Sequence, residues 1–107
     1  MTDYAQRLAA HPRWRWEPGM RYQRGSWFYR TPACIEDVAF DADCLPCLNA
    51  PATRGWLLAM LREATGCVDL AVVQDGDTWE TMPMYGDCYA TEGEALAAAL
   101  LAVWGAA

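Results

Sequence analysis

The sequence contains no lysine: all eight basic residues are arginine, and His11 is the one histidine. Absent lysine beside abundant alanine marks a GC-rich coding genome and says nothing about mechanism. A Cys–His catalytic pair would need His11, an activated thiol and a third orienting group, and nothing local supplies the last two. His11-Pro12 reads more simply as the end of a first helix. Long apolar runs are missing as well. The longest, Ala95 to Trp104, is too short to span a bilayer and does not sit where a signal peptide would. With no export signal, the expected location is the cytoplasm, in a host cell if the chain is phage-encoded, with no membrane contact. Repeats, linkers and low-complexity tracts are absent too, so residues 1–107 are expected to form one domain, large enough to bury a core without metal or disulfide staples.

Five cysteines is an odd count, and in a reducing compartment they are expected as free thiols. Cys44-Leu-Pro-Cys47 has the spacing of a redox pair or half a zinc site. A redox pair belongs at the first turn of a helix, yet Leu48, Asn49 and Ala50 intervene before Pro51. Zinc needs two more ligands, and Cys34, Cys67, Cys88 and His11 form no second close pair. No metal and no cofactor is therefore expected, with a thiol or zinc protein using Cys44 and Cys47 kept as an alternative.

What the chain has is an uneven distribution of charge. Residues 1–30 carry six arginines against Asp3 and Glu17, a balance of +4; the remainder carries −10, and the whole is −6. Residues 11–30, HPRWRWEPGMRYQRGSWFYR, hold five arginines, three tryptophans and two tyrosines. Nucleic-acid stacking wants exposed rings beside cations on one face. RWRWE instead alternates, placing Trp14 and Trp16 on one side and Arg13, Arg15 and Glu17 on the other. That pattern predicts a half-buried strand with its indoles packed near Leu57, Leu61, Leu96 and Leu100. Direct nucleic-acid binding through this stretch stays an alternative, opposed by the net acidity.

The rest reads as alternating elements. DYAQRLAA is a short helix with Thr2 or Asp3 as cap. Pro18-Gly19 is a turn, and Arg24-Gly25-Ser26 a turn or bulge. WFYR and IEDVAF read as strands, and CLPCLNA as a loop. Residues 51–66 read as a helix entered through Pro51, capped by Asn49 or Ala50 and stopped at Gly66. VDLAVVQ and TWETMPM form a hairpin about Asp75-Gly76-Asp77, with Pro83 marking an edge or end. Thr91-Glu92-Gly93-Glu94 is a capping box opening EALAAALLAVW, a helix apolar nearly all round and so expected to be covered. The expected fold is α+β: an antiparallel sheet with two main helices packed on it and a short N-terminal helix.

HPRWRWEPGMR, APATRGWLLAMLREA, the tryptophan-bearing hairpin and ATEGEALAAALLAVW together resemble a family of small uncharacterised tailed-phage and prophage proteins, similar to phage α-β-α sandwich domains. In those relatives the segment before the first long helix reads like LPDLTDPATLG. This sequence departs by placing Cys47 where an acidic residue is usual and Ala50 at the usual Asp cap. The resemblance implies phage origin and fold, and it carries no catalytic residues.

The acids Glu36, Asp37, Asp41, Asp43, Asp75 and Asp77 fall at strand ends and turns, where aspartate is favoured for its own hydrogen bonding. Two brought together could do acid–base work, and an acidic surface can imitate phosphates in a partner's basic groove. The expectation is a non-catalytic phage-type accessory protein that binds a host or defence-system protein, an inhibitor of the anti-CRISPR kind. The partner-binding residues are expected among Arg13, Arg15, Arg21, Arg24, Arg30, Asp41, Asp43, Asp75 and Asp77, and self-association is open.

Overall fold

The computed structural model describes residues 4–34, 40–41, 43–83, 85 and 87–105. The expected caps Thr2 and Asp3, most of the IEDVAF strand, and with it Glu36 and Asp37, lie outside the described residues. Among the described residues three helices and five strands follow in the order α1 (Tyr4–Ala10), β1 (Arg21–Arg24), β2 (Trp27–Arg30), β3 (Cys44–Pro46), α2 (Pro51–Thr65), β4 (Ala71–Asp75), β5 (Thr78–Met82) and α3 (Glu92–Trp104). This is the expected α+β fold. Its strands divide into two antiparallel sheets, β2-β1-β3 and the β4-β5 hairpin.

α3 organises the whole. Ala95 to Leu101 are all buried, and the helix packs on α1, α2, β4 and β5. With Leu57, Met60 and Leu61 of α2, Leu8 of α1, Met20 and Leu70, it forms one apolar core. Alanine-rich faces let helices approach closely, which is why a helix apolar on every side reads as a centre and not as a surface.

The turns follow their glycines. Met20 N–H bonds Glu17 O at 3.2 Å across Pro18-Gly19, with Gly19 at φ +87°, the geometry of a type II turn. Both hairpins close through two residues whose first is a glycine at φ +63°, Gly25-Ser26 and Gly76-Asp77. That is the type II′ pattern, whose twist matches the flanking strands. Gly66 ends α2 in the left-handed region, donating to Arg62 O at 2.9 Å.

Three expectations are corrected. RWRWE is irregular extended chain and not a ladder strand. Pro12 and Pro18 lack an N–H, and the chain turns at His11, where Trp14 N–H bonds His11 O. The alternation of its side chains holds over residues 13–16 without a ladder: Arg13 and Arg15 are exposed, Trp14 and Trp16 half-buried against the core, while Glu17, expected outside, is half-buried too. Cys44–Pro46, expected as loop, is a strand paired to β1 with Tyr22 opposite Pro46. Its pairing is long-range, and three residues show no periodicity that could announce it.

The third correction concerns caps. Thr91 Oγ1 accepts from Glu94 N–H as expected, but it donates to Glu94 Oε1, so the carboxylate returns to the hydroxyl and not to the backbone. Ala50 is the N-cap of α2 and provides no side-chain bond. Asn49 instead caps the other helix, its Oδ1 accepting from Gly93 N–H at 2.9 Å.

Candidate functional site

The β1–β2 hairpin is where exposed chemistry concentrates. Trp27, Phe28 and Tyr29 are 72, 61 and 43% exposed, in the outer strand of the sheet that the described residues form. Three consecutive large aromatics cannot all face a core, since successive side chains point to opposite sides of a sheet. Trp27 and Tyr29 share a face with Arg24 and Tyr22, their cross-strand partners, while Phe28 shares the other with Gln23, Arg21 and Arg30.

On the Trp27 face a cleft of about 550 Å³ is lined by Gln6, Arg24, Gly25, Trp27, Tyr29, Asp43 and Leu45. Arg24 Nη2 bonds Asp41 Oδ2 at 2.9 Å, and Asp41 Oδ1 accepts from Asp43 N–H. A second cleft of about 470 Å³ continues past Gln6 and Leu45 to Trp16 and Phe40, whose rings stack at 4.5 Å. Tyr29 stacks on Tyr22 at 5.2 Å. Burial raises the Tyr22 phenol above its ordinary value, keeping it neutral.

On the Phe28 face, Arg21 and Arg30 stand directly opposite each other in the ladder and line a cleft with Gly19, Pro51 and Ala52. Among the described residues neither has a carboxylate within ion-pair reach. Like charges opposed across a strand pair are unfavourable. The position of β1 is nonetheless firm, because buried Thr53 of α2 accepts from Arg21 N–H at 3.0 Å through its Oγ1.

The predicted partner-binding residues fall into three places. Arg21, Arg24, Arg30, Asp41 and Asp43 gather on and beside this hairpin. Arg13 and Arg15 lie along the 11–17 segment, where Arg15 pairs with Glu17 and Glu63 at 3.6 and 3.2 Å. Asp75 ends β4 and Asp77 lies in the β4–β5 turn of the other sheet, with Asp75 O accepting from the Thr78 hydroxyl. The rings of residues 27–29 are not among the residues expected to bind a partner; their unbroken run is the feature of the sequence that marks them.

The remaining chemical candidates are tied into structure. His11 is buried, stacked on Trp104 at 5.0 Å. Its Nδ1 accepts from Arg13 N–H, and its Nε2 donates to Gly105 O at 3.1 Å. The ring thus locks the end of α1 to the end of α3. Cys44 is buried, its Sγ donating to Asp41 Oδ1, and burial pushes the Cys47 thiol up in pKa, away from thiolate. All five thiols are free, and among the described residues no three His, Cys, Asp or Glu side chains gather to hold a metal. No described helix is long and apolar enough to cross a membrane.

Comparison with known protein families, with curated proteins and with solved structures finds no match to this chain.

Proposed function

We propose that this chain is a non-catalytic binding protein that docks on another protein through the β1–β2 hairpin. The observation that carries the reading is the run of Trp27, Phe28 and Tyr29 left exposed on an edge strand between arginines. Exposed contiguous aromatics are expensive to hydrate, and aromatic residues with arginine are the types that dominate binding energy at protein interfaces. The setting kept for it is the phage-type accessory role, with a host or defence-system protein as partner. Trp27→Ala and Phe28→Ala test it. Both should leave the melting temperature within a few degrees while removing a near-stoichiometric partner from a host-lysate pull-down. Partner capture unchanged by both substitutions refutes the hairpin as the docking face.

Nucleic acid is the second reading, favoured by the same adjacency of rings and guanidiniums. It requires a low-salt gel shift that fades steeply with added salt and with Arg21→Ala or Arg30→Ala.

A further inference from the structure

Among the described strands β2 is paired on one side only, and the ladder fixes the orientation of its other side. In a two-residue hairpin the residues flanking the turn, Arg24 and Trp27, exchange hydrogen bonds, and bonding alternates from there. Trp27 and Tyr29 therefore direct their N–H and C=O groups toward β1. Phe28 and Arg30 direct theirs outward, where no described strand pairs with them. Natural edges are usually blunted by proline, lysine or a bulge. Trp27–Arg30 is short, four residues ending in one charge, but it holds no proline, lysine or bulge and is regular and aromatic.

Building on the docking reading, we propose that this edge takes up an extended, carboxylate-bearing segment of the partner protein as an added antiparallel strand. The backbone of Phe28 and Arg30 supplies its hydrogen bonds, the ring of Phe28 packs on its apolar side chains, and the opposed guanidiniums of Arg21 and Arg30 receive its carboxylate. Strand addition draws affinity from main-chain bonds and specificity from the side chains alternating along the edge. Charge complementarity selects the occupant. The two strands carry no acid; Arg24 is met by Asp41 from outside them, and Arg21 and Arg30 repel each other until an anion bridges them.

The same charges disfavour a second copy. Pairing β2 with itself about a two-fold axis gathers four arginines without a carboxylate partner, Arg21 and Arg30 of each copy. A single-stranded nucleic acid is disfavoured because the rings are split between two faces and Tyr29 already stacks on Tyr22.

The test pans the full chain against a displayed library of random dodecapeptides and measures the most enriched peptide, made synthetically, by calorimetry and amide hydrogen exchange. The expected peptide carries carboxylates among apolar residues. Its affinity should fall about tenfold or more in Arg30→Glu and in Phe28→Pro, and it should protect the amides of Phe28 and Arg30 on binding. Proline at Phe28 removes an outward N–H, which an edge tolerates, so the hairpin itself should persist, checked by its thermal melt. Should that variant unfold, Arg30→Glu and the exchange data decide. Binding that Trp27→Ala abolishes but that leaves both amides unprotected overturns strand addition while keeping the hairpin as the docking face. Binding indifferent to Trp27→Ala, Phe28→Pro and Arg30→Glu overturns both. Strand addition is also refuted by an empty selection, by enriched peptides without carboxylates, by self-association that Phe28→Pro abolishes, or by oligothymidylate binding that Arg30→Glu removes.

Discussion

Gly93 occupies the second position of α3, where a helix gains nothing from glycine, and its neighbours explain it. A Cβ built there would lie 2.5 Å from Leu48 O, 2.6 Å from Asn49 Oδ1 and 2.6 Å from Leu48 C. Two of these three atoms are backbone, so no side-chain rotation relieves the contact. Alanine at this position would force the start of α3 away from the 48–49 turn by roughly 1 Å to restore van der Waals distance. That shift breaks the Asn49 cap on Gly93 N–H, and it disturbs the neighbouring Arg54–Glu92 ion pair. Overpacking costs about 1–3 kcal/mol and a lost cap about 1 kcal/mol, while the helix preference of alanine returns about 1 kcal/mol.

The net expectation for Gly93→Ala is a loss of about 2 kcal/mol, or a melting temperature lower by about 8–15 °C in a domain of this size. Gly55 is the internal control. It lies within α2, exposed, with nothing within 4 Å of its would-be Cβ. Gly55→Ala should therefore raise stability by about 0.5–1 kcal/mol, the ordinary gain in a helix interior. Circular-dichroism melts and urea titrations of both variants read the difference. If the two glycines respond alike, with Gly93→Ala as stable as the parent or more so, the close approach of α3 to the 48–49 turn is wrong.

Trp14→Ala and Trp16→Ala should each cost about 2–3 kcal/mol in urea titrations, less than a fully buried ring because both are half-buried. Arg13→Ala and Arg15→Ala should change stability by under about 1 kcal/mol, the Arg15 side chain being about half exposed in both of its pairs; tolerated tryptophan changes would undo the core assignment. Thr53→Val should cost about 1–3 kcal/mol, because it leaves Arg21 N–H without its acceptor, and it should weaken any partner that binds the hairpin. Burial raises Tyr22 and Cys47 above their ordinary values, so the contribution of each is whole below the unfolded value and is lost as pH rises through the folded one. Stability should therefore decline from about pH 9 upward, where Cys47 begins to ionise in the unfolded chain, and Tyr22→Phe should flatten the upper part of that decline; an unchanged urea midpoint across this range would contradict it.

The helices and turns were legible because local chemistry fixes them. Pro51 and Gly66 bound α2, the capping threonine opens α3, and glycines at positive φ close both hairpins. What escaped was decided at a distance. β3 exists because Arg21 O accepts from Cys47 N–H and Tyr22 pairs with Pro46, contacts that no three-residue window carries. Of the two caps expected for α2, Ala50 takes the position, and Asn49 serves the other helix, 44 positions on. The alternation of RWRWE predicted the covered and exposed side chains of residues 13–16, missed the half-burial of Glu17 and gave a wrong account of the backbone, because burial needs only a side to face the core while a strand needs a partner. The site was half legible. The arginines of the hairpin and the acids at 41 and 43 were singled out, but in a run of three aromatics the sequence does not say which ring the core takes.

The hairpin combines firmness at one end with openness along one side, and that combination suits recognition. Thr53 and the backbone bonds joining Gly19 and Met20 to Thr31 hold the base of β1–β2 against α2 and the 17–20 turn. Tyr22 is buried among Trp16, Tyr29 and Phe40, so the inner face is anchored by rings. An added strand then meets a preformed edge and loses little entropy in ordering it. Nothing about the core requires Trp27 or Phe28 to be aromatic, nor Arg21 and Arg30 to face each other across the ladder. The fold carries these features as costs, in hydration and in repulsion, which a carboxylate-bearing apolar strand would relieve together.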